Sequence, residues 1–285
     1  MRAFRPAAPL SLTLGPRSFD VTTRALVMGI LNRTPDSFYE PAATFHLDDL
    51  LRRAGQLVAD GADLLDVGGV RAGPGPEVSE AEELDRVVPV IEELRRRFDV
   101  PLSVDTWRSG VAAAGFAAGA VLGNDISGFA DPEYLKVAAS ADASVVATHI
   151  RLAPRVADPD PRYDDVVASV RDFLINRRDR AIDAGLAFSQ VILDAGLDLG
   201  KTAAQSLALL RASDELADLG SPLLLSVSNK TFLGVVFDLP VLERGDASLA
   251  ATALGVAAGC RVVRAHDVAG TVRLRDALAA VLEAT

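Results

Sequence analysis

Short apolar runs recur along the chain at 25–31 (ALVMGIL), 101–104 (PLSV), 143–147 (ASVVA), 189–193 (SQVIL) and 222–227 (PLLLSV). They lack the strict alternation of a half-wet strand and read as strands buried on both faces, as parallel strands are when helices cover them. The run at 62–67 (ADLLDV) fits the same series. Helical patterns lie between and after them at 46–59, 79–97, 108–118, 131–140, 162–186, 201–217, 247–259 and 267–284, and Ser79 with Glu82 fits a capping box. The pattern predicts eight strands alternating with eight helices, the signature of an α/β fold of the (β/α)8 TIM-barrel type, spanning 1–285 as one domain. Ahead of it, 11–21 (SLTLGPRSFDV) turns at Gly15-Pro16 and reads as an N-terminal β-hairpin plugging the barrel bottom.

The apolar runs end in polar or ionisable residues: Asn32, Asp66, Asp105, Asn124, His149, Asp194, Lys230, and the pair Arg264 and His266. In a barrel of this kind the C-terminal strand ends converge on one mouth, where the active site sits, so the pattern points to an enzyme. Arg264 and His266 are two apart on a strand, which sends both side chains the same way. The loops after the first and second strands are the longest breaks and are where mobile lids belong.

Composition narrows the partners. A net charge of -10 argues against nucleic-acid binding through a basic surface. No apolar stretch is long enough and charge-free enough to span a bilayer, and the start (MRAFRPAAPL) lacks a signal-peptide core, so no membrane partner and a cytoplasmic location are expected. The single cysteine, Cys260, sits in AAGCRVV and reads as a buried structural thiol.

Taken together, NRTPDSF (32–38), SVDT (103–106), NDISG (124–128), the histidine of ATHIR, DAGLDLGK (194–201), SNKT (228–231) and RAHDV (264–268) resemble dihydropteroate synthase in order and spacing along nearly the whole chain. The resemblance implies transfer of a dihydropterin methylene from 6-hydroxymethyl-7,8-dihydropterin diphosphate to the amine of 4-aminobenzoate, with Mg2+ and a homodimer. It places the pterin on Asp105, Asn124, Asp194 and Lys230, with Asp105 and Lys230 as the catalytic pair. It places the diphosphate on Asn32, Arg264 and His266, with Asn32 at the metal, and the second substrate near Arg71, Leu199 and Ser228. The residue types suit these tasks, since carboxylates accept the paired N–H donors of a pterin and cations hold a departing diphosphate. The plain alternatives stay open: Asp105 and Asp194 as caps of the following turns, Lys230 as a solvated lysine, His266 as a structural histidine. Asp125 reads as backbone support beside Asn124, and Lys201 as an exposed residue opening a helix or, alternatively, a neighbour of the phosphate.

Several positions depart from the family. Where its second loop reads D-V-G-G-E-S-T-R-P-G, this chain has DVGGVRAGPG (66–75), with Val70, Arg71, Ala72 and Gly73 replacing Glu, Ser, Thr and Arg. Asp198 and Leu199 stand for Gly and Phe in the D-P-G-x-G-F-G-K motif, and Asn229 and Thr231 for the Arg and second Ser of S-R-K-S. Arg33 replaces a usual Val, Tyr39-Glu40-Pro41 replace Ser-Asp-Gly, and Thr148 and Ile150 replace the methionines flanking the family histidine. The changes gather on the amine side, so the chain resembles a divergent paralogue of the family with an intact pterin half. The expected activity is a dihydropteroate synthase-like transfer to 4-aminobenzoate or another amine; the competing readings are a non-catalytic pterin-binding paralogue and a pterin-dependent methyltransferase.

Overall fold

The chain enters through an antiparallel hairpin, β1 (Ser11–Leu14) and β2 (Arg17–Asp20), in a computed structural model that describes residues 9–34 and 46–283. Gly15 takes φ +56° at the turn, and a Cβ there would lie 2.7 Å from a Val121 methyl, so the position needs glycine. Eight parallel strands then close a barrel: β3 (Leu26–Asn32), β4 (Leu64–Gly68), β5 (Leu102–Asp105), β6 (Leu122–Asp125), β7 (Ser144–Thr148), β8 (Val191–Asp194), β9 (Leu223–Leu225) and β10 (Cys260–Ala265). Each pairs with its neighbour in sequence, and β10 returns to β3. The TIM barrel with its N-terminal hairpin is therefore as the sequence predicts.

Strand parity divides the side chains. Met28, Leu64, Leu122, Val146, Ile192, Leu224 and Val262 cluster with Leu12 and Leu14 of the hairpin, so these strand positions and the hairpin form one apolar layer at the barrel floor. The intervening residues, such as Val27, Leu65, Val67 and Val104, pack outward on the helices. Helix α1 (Leu47–Ala59) covers them with Leu50, Leu51, Ala54 and Leu57, the spacing of one helical face. Each such leucine contributes about 2 kcal/mol by leaving water.

The remaining helices are α2 (Glu80–Arg97), α3 (Ser109–Ala118), α4 (Tyr134–Ser140), α5 (Val166–Asp183), α6 (Ala203–Arg211), α7 (Ser213–Ala217), α8 (Thr231–Phe237), α9 (Gly245–Ala257) and α10 (Val268–Glu283). The expected tally of eight is exceeded for two reasons. The 201–217 pattern breaks at Ala212, where the Ser213 hydroxyl donates to Leu210 O at 2.8 Å, and a further helix, α8, follows the SNK segment. The 162–186 pattern starts late because Asp165 caps α5, accepting from Val167 N and Ala168 N. The capping box at α2 is half-formed: Ser79 accepts from Glu82 N, while the Glu82 carboxylate pairs with Arg86. Cys260 is buried, as expected, and burial pushes its thiol up to about 12. Among the described residues no helix is long and apolar enough to cross a membrane.

Candidate functional site at the barrel mouth

Two residues beyond the floor layer, the inward positions turn polar. Asp66, Asn124, Thr148, Asp194 and Arg264 each lie two along from a floor residue, so period-two geometry sends them into the mouth. Asp66 is the centre of the group, although the sequence marked it only as a strand end. Its Oδ1 accepts from Ser103 Oγ at 2.6 Å; its Oδ2 accepts from Asn124 Nδ2 at 3.1 Å and from Arg264 Nε at 2.6 Å. Arg264 then donates through Nη2 to Asp105 Oδ2 at 2.9 Å.

One guanidinium thus serves two carboxylates. Burial, with the Asp66 charge beside it, raises the Asp105 carboxyl to about 7, against the opposing pull of Arg264. Asp125 supports the backbone as expected, accepting from Ser127 N at 2.6 Å and Phe129 N at 2.9 Å. Asp105 caps no helix, since α3 begins at Ser109, whereas the Asp194 carboxylate does cap the glycine-rich turn that follows it, accepting from the Gly196 amide at 2.8 Å, its only hydrogen-bond partner among the described residues. Burial pushes the Asp194 carboxyl up, while that amide, Lys230 and Lys201 oppose the shift. Gly196 is obligatory, since a Cβ there would sit 1.9 Å from His149 O at φ +63°.

Lys201 overturns the expectation of an exposed residue. It is 7% exposed, and its ammonium lies 2.8 Å from Gly196 O, 2.9 Å from Leu199 O and 2.9 Å from His149 Nδ1. Those bonds tie the loop after β8 to the end of β7. Because Lys201 donates to Nδ1, the His149 proton sits on Nε2, and burial with the Lys201 charge lowers that ring to about 3. Lys230, which follows β9, braces that loop by donating to Leu197 O at 3.1 Å.

On the other side of the mouth, Ser228 holds His266. The Ser228 hydroxyl accepts from His266 N at 3.2 Å and lies 2.9 Å from His266 Nδ1; we assign the hydroxyl as donor to Nδ1, which places the ring proton on Nε2. Burial, then the charges of Arg264, Arg53 and Lys230, lower this imidazole to about 3, so it is a neutral donor at pH 7. Arg53, which no sequence signal singled out, reaches from α1 to His266 O at 2.8 Å. Asn32 ends β3 opposite Gly68, with its Oδ1 and Asp105 flanking that glycine. Among the described residues no group of three His, Cys, Asp or Glu converges as a metal site. Residues 35–45, including Tyr39-Glu40-Pro41, lie outside the described residues.

The altered second loop is anchored by arginines bonding its carbonyls. Arg86 donates to Gly69 O at 2.8 Å, Arg108 to Val78 O at 2.7 Å, and Arg155 Nη1 to Arg71 O at 3.1 Å. Arg155 also donates through Nη2 to Pro76 O, and through its backbone N to Ala72 O at 3.0 Å. Arg155 lies in the expected exposed loop before α5, but nothing in the sequence marks it as a clamp. Asp198 replaces a family glycine and still occupies the left-handed region at φ +68°. Its carboxylate accepts from Phe232 N at 3.1 Å, which caps α8 and offsets a backbone cost of about 1–2 kcal/mol. Leu199 lines a cleft beside Ala72 and Gly73.

Residues 28–266 match the model of the pterin binding enzyme family. The chain is 43% identical to the inactive dihydropteroate synthase 2 of Mycobacterium leprae over 90% of this chain and 91% of that protein. It is 40% identical to the dihydropteroate synthase of Synechocystis sp. over 96% of each. A crystal structure of the Yersinia pestis dihydropteroate synthase in a sulfonamide drug complex superposes with a TM-score of 0.92 at 38% identity, covering 96% of this chain and all of that one.

Proposed function

The chain belongs to the pterin-binding enzyme family, and from that premise we propose that it is a dihydropteroate synthase-like transferase, binding 6-hydroxymethyl-7,8-dihydropterin diphosphate at the barrel mouth and passing the pterin methylene to an amine. The observation that carries this reading is the Asp66, Arg264 and Asp105 chain of charge-assisted bonds beside a buried Asp194 carboxylate with one bonded partner among the described residues. A buried carboxylate needs donors, and the paired N–H groups of a pterin supply them. Asn124 offers its amide oxygen to the same ring, and Lys230 stands over the neighbouring loop.

Reaction proceeds by loss of diphosphate and attack of the amine on the pterin methylene. Arg264 keeps its Nη1 for the departing anion after bonding both carboxylates, and neutral His266 donates from Nε2. Ionised Asp105 faces the cation that develops on the methylene as the carbon–oxygen bond breaks. Magnesium on the diphosphate takes hard oxygen ligands, and the Asn32 amide oxygen suits it as a protein ligand. We extend the reading to a homodimer on the exposure of Val235, Phe237, Leu242 and Leu254.

Calorimetry with the pterin diphosphate and magnesium tests the first half of the proposal, and diphosphate release across a panel of amines tests the second. Binding without release would favour a second reading, a non-catalytic pterin-binding protein. The clamp of Arg155 on the second loop and the inactive Mycobacterium leprae relative favour that alternative.

A further inference from the structure

A cleft of about 150 Å³ opens between the second loop and the loops that follow β7 and β8. That volume is close to the size of an apolar cavity that accepts one benzene ring. Pro74, Ile150, Leu152, Val156 and Leu199 supply its larger apolar side chains, and Leu152 and Val156 remain 44% and 53% exposed. Exposed large apolar side chains gathered in one concavity are where a small ring gains most from leaving water.

The polar groups in these walls are already used. Lys201 has three N–H donors and four acceptors within reach: His149 Nδ1, His149 O, Gly196 O and Leu199 O. Asp158 is paired with Arg151, and Asp198 caps α8. Arg155, behind the loop, directs both terminal nitrogens to carbonyls, and Arg71 is not in the wall. An anion entering the cleft would lose its hydration, meet two acidic side chains in the walls and gain no uncommitted cation from the described residues that line it.

The cleft shares its walls with the chemistry. One wall is the loop launched from Asp66 through Gly68, beside Asp105; the other is the loop launched from Asp194, which also holds Lys230 through Leu197 O. Resting on the transferase reading above, we propose that this cleft is the acceptor subsite and that it selects a single-ring, uncharged apolar amine without a carboxylate. The amine lone pair forms the carbon–nitrogen bond as the carbon–oxygen bond to diphosphate breaks, and the proton released from nitrogen leaves with the diphosphate.

The test uses 4-methylaniline and 4-aminobenzoate, which share a ring and an amine but differ in charge, titrated into the full-length protein saturated with pterin diphosphate and magnesium. Expected is binding of 4-methylaniline at least about tenfold tighter, with diphosphate release following the same order. Val156→Asp, a change at an exposed wall position, should weaken 4-methylaniline by about tenfold and leave pterin binding unchanged. Equal or tighter binding of 4-aminobenzoate, indifference to Val156→Asp, or no amine binding to the pterin-loaded protein would each overturn the subsite. Failure of the pterin diphosphate itself to bind, seen in the first titration, would instead bring down the transferase reading and this assignment with it.

Discussion

Arg264 Nε lies 2.6 Å from Asp66 Oδ2, joining β10 to β4 across the intervening strand β3. The bond fixes the guanidinium so that Nη2 meets Asp105 while Nη1 stays available. Lysine offers a point charge and cannot hold both carboxylates in this fork. Arg264→Lys should therefore keep the fold while weakening pterin diphosphate by about tenfold or more. Arg264→Ala should cost about 3–5 kcal/mol in urea unfolding, since it strands two carboxylates that share one cation. An alanine variant as stable as the parent would show that the bridge does not matter to folding.

The Asp105 carboxyl, raised to about 7, gives stability a definite pH slope. A carboxyl raised in the folded state holds its proton more tightly there than in the unfolded chain. Its contribution is full below about pH 4, falls as pH rises towards about 7, and is flat beyond. Asp125, raised to about 6, adds to the same trend. Urea midpoints measured between about pH 5 and 8 should decline more steeply for the parent than for Asp105→Asn. Parallel slopes would remove the basis for treating Asp105 as poised near neutrality.

Lys201→Met should loosen the loop after β8. The substitution keeps an apolar stem but withdraws donors from Gly196 O, Leu199 O and His149 Nδ1. Each buried acceptor left without a partner costs about 1–3 kcal/mol. The His149 ring should also titrate higher once the like charge is gone, an upward shift readable by NMR. A Met variant with parental stability and an unmoved histidine would contradict this account.

Arg155→Ala should free the second loop without disturbing the barrel. Its guanidinium bonds Arg71 O and Pro76 O, and no other described side chain bonds those two carbonyls. Hydrogen exchange over about residues 71–78 is expected to rise at least severalfold while the strands stay protected. If acceptor turnover rose as well, the clamp would be a brake on the second loop. Unchanged exchange would mean that Arg86 and Arg108 alone hold the loop.

The barrel and much of its mouth are legible in the sequence because two periods coincide there. Buried parallel strands read as apolar runs, and parity carries the same side of each strand from Met28 or Leu64 at the floor to Asn32 or Asp66 at the mouth. Bonds made across loops leave no such trace. Arg53, Arg155 and the burial of Lys201 depend on where separate loops meet, and a local pattern of residue types does not encode that. Asp198 is an intermediate case: its departure from glycine was visible, but its role as a cap for α8 appeared only when the two loops were seen together. Helix boundaries slipped for a related reason, since single side chains such as Asp165 and Ser213 decide where a turn begins or breaks.

Ala72→Thr with Gly73→Arg restores the family's residues to the second loop, and the backbone permits it. A Cβ at Gly73 meets nothing within 4 Å, and Gly73 is not among the glycines with positive φ, so arginine can be added without strain. Gly75 is different, because a Cβ there would come 3.0 Å from the Arg155 guanidinium. The new arginine would bring to the cleft the uncommitted cation that its walls lack, where a charge-assisted bond to a carboxylate is worth about 1.5–3 kcal/mol. The double variant should therefore bind 4-aminobenzoate about tenfold or more tighter than the parent, measured on the pterin-loaded protein, with 4-methylaniline little changed. If 4-aminobenzoate gains nothing, the missing cation is not what separates this mouth from that of its synthase relatives, and the clamp at Arg155 becomes the better explanation.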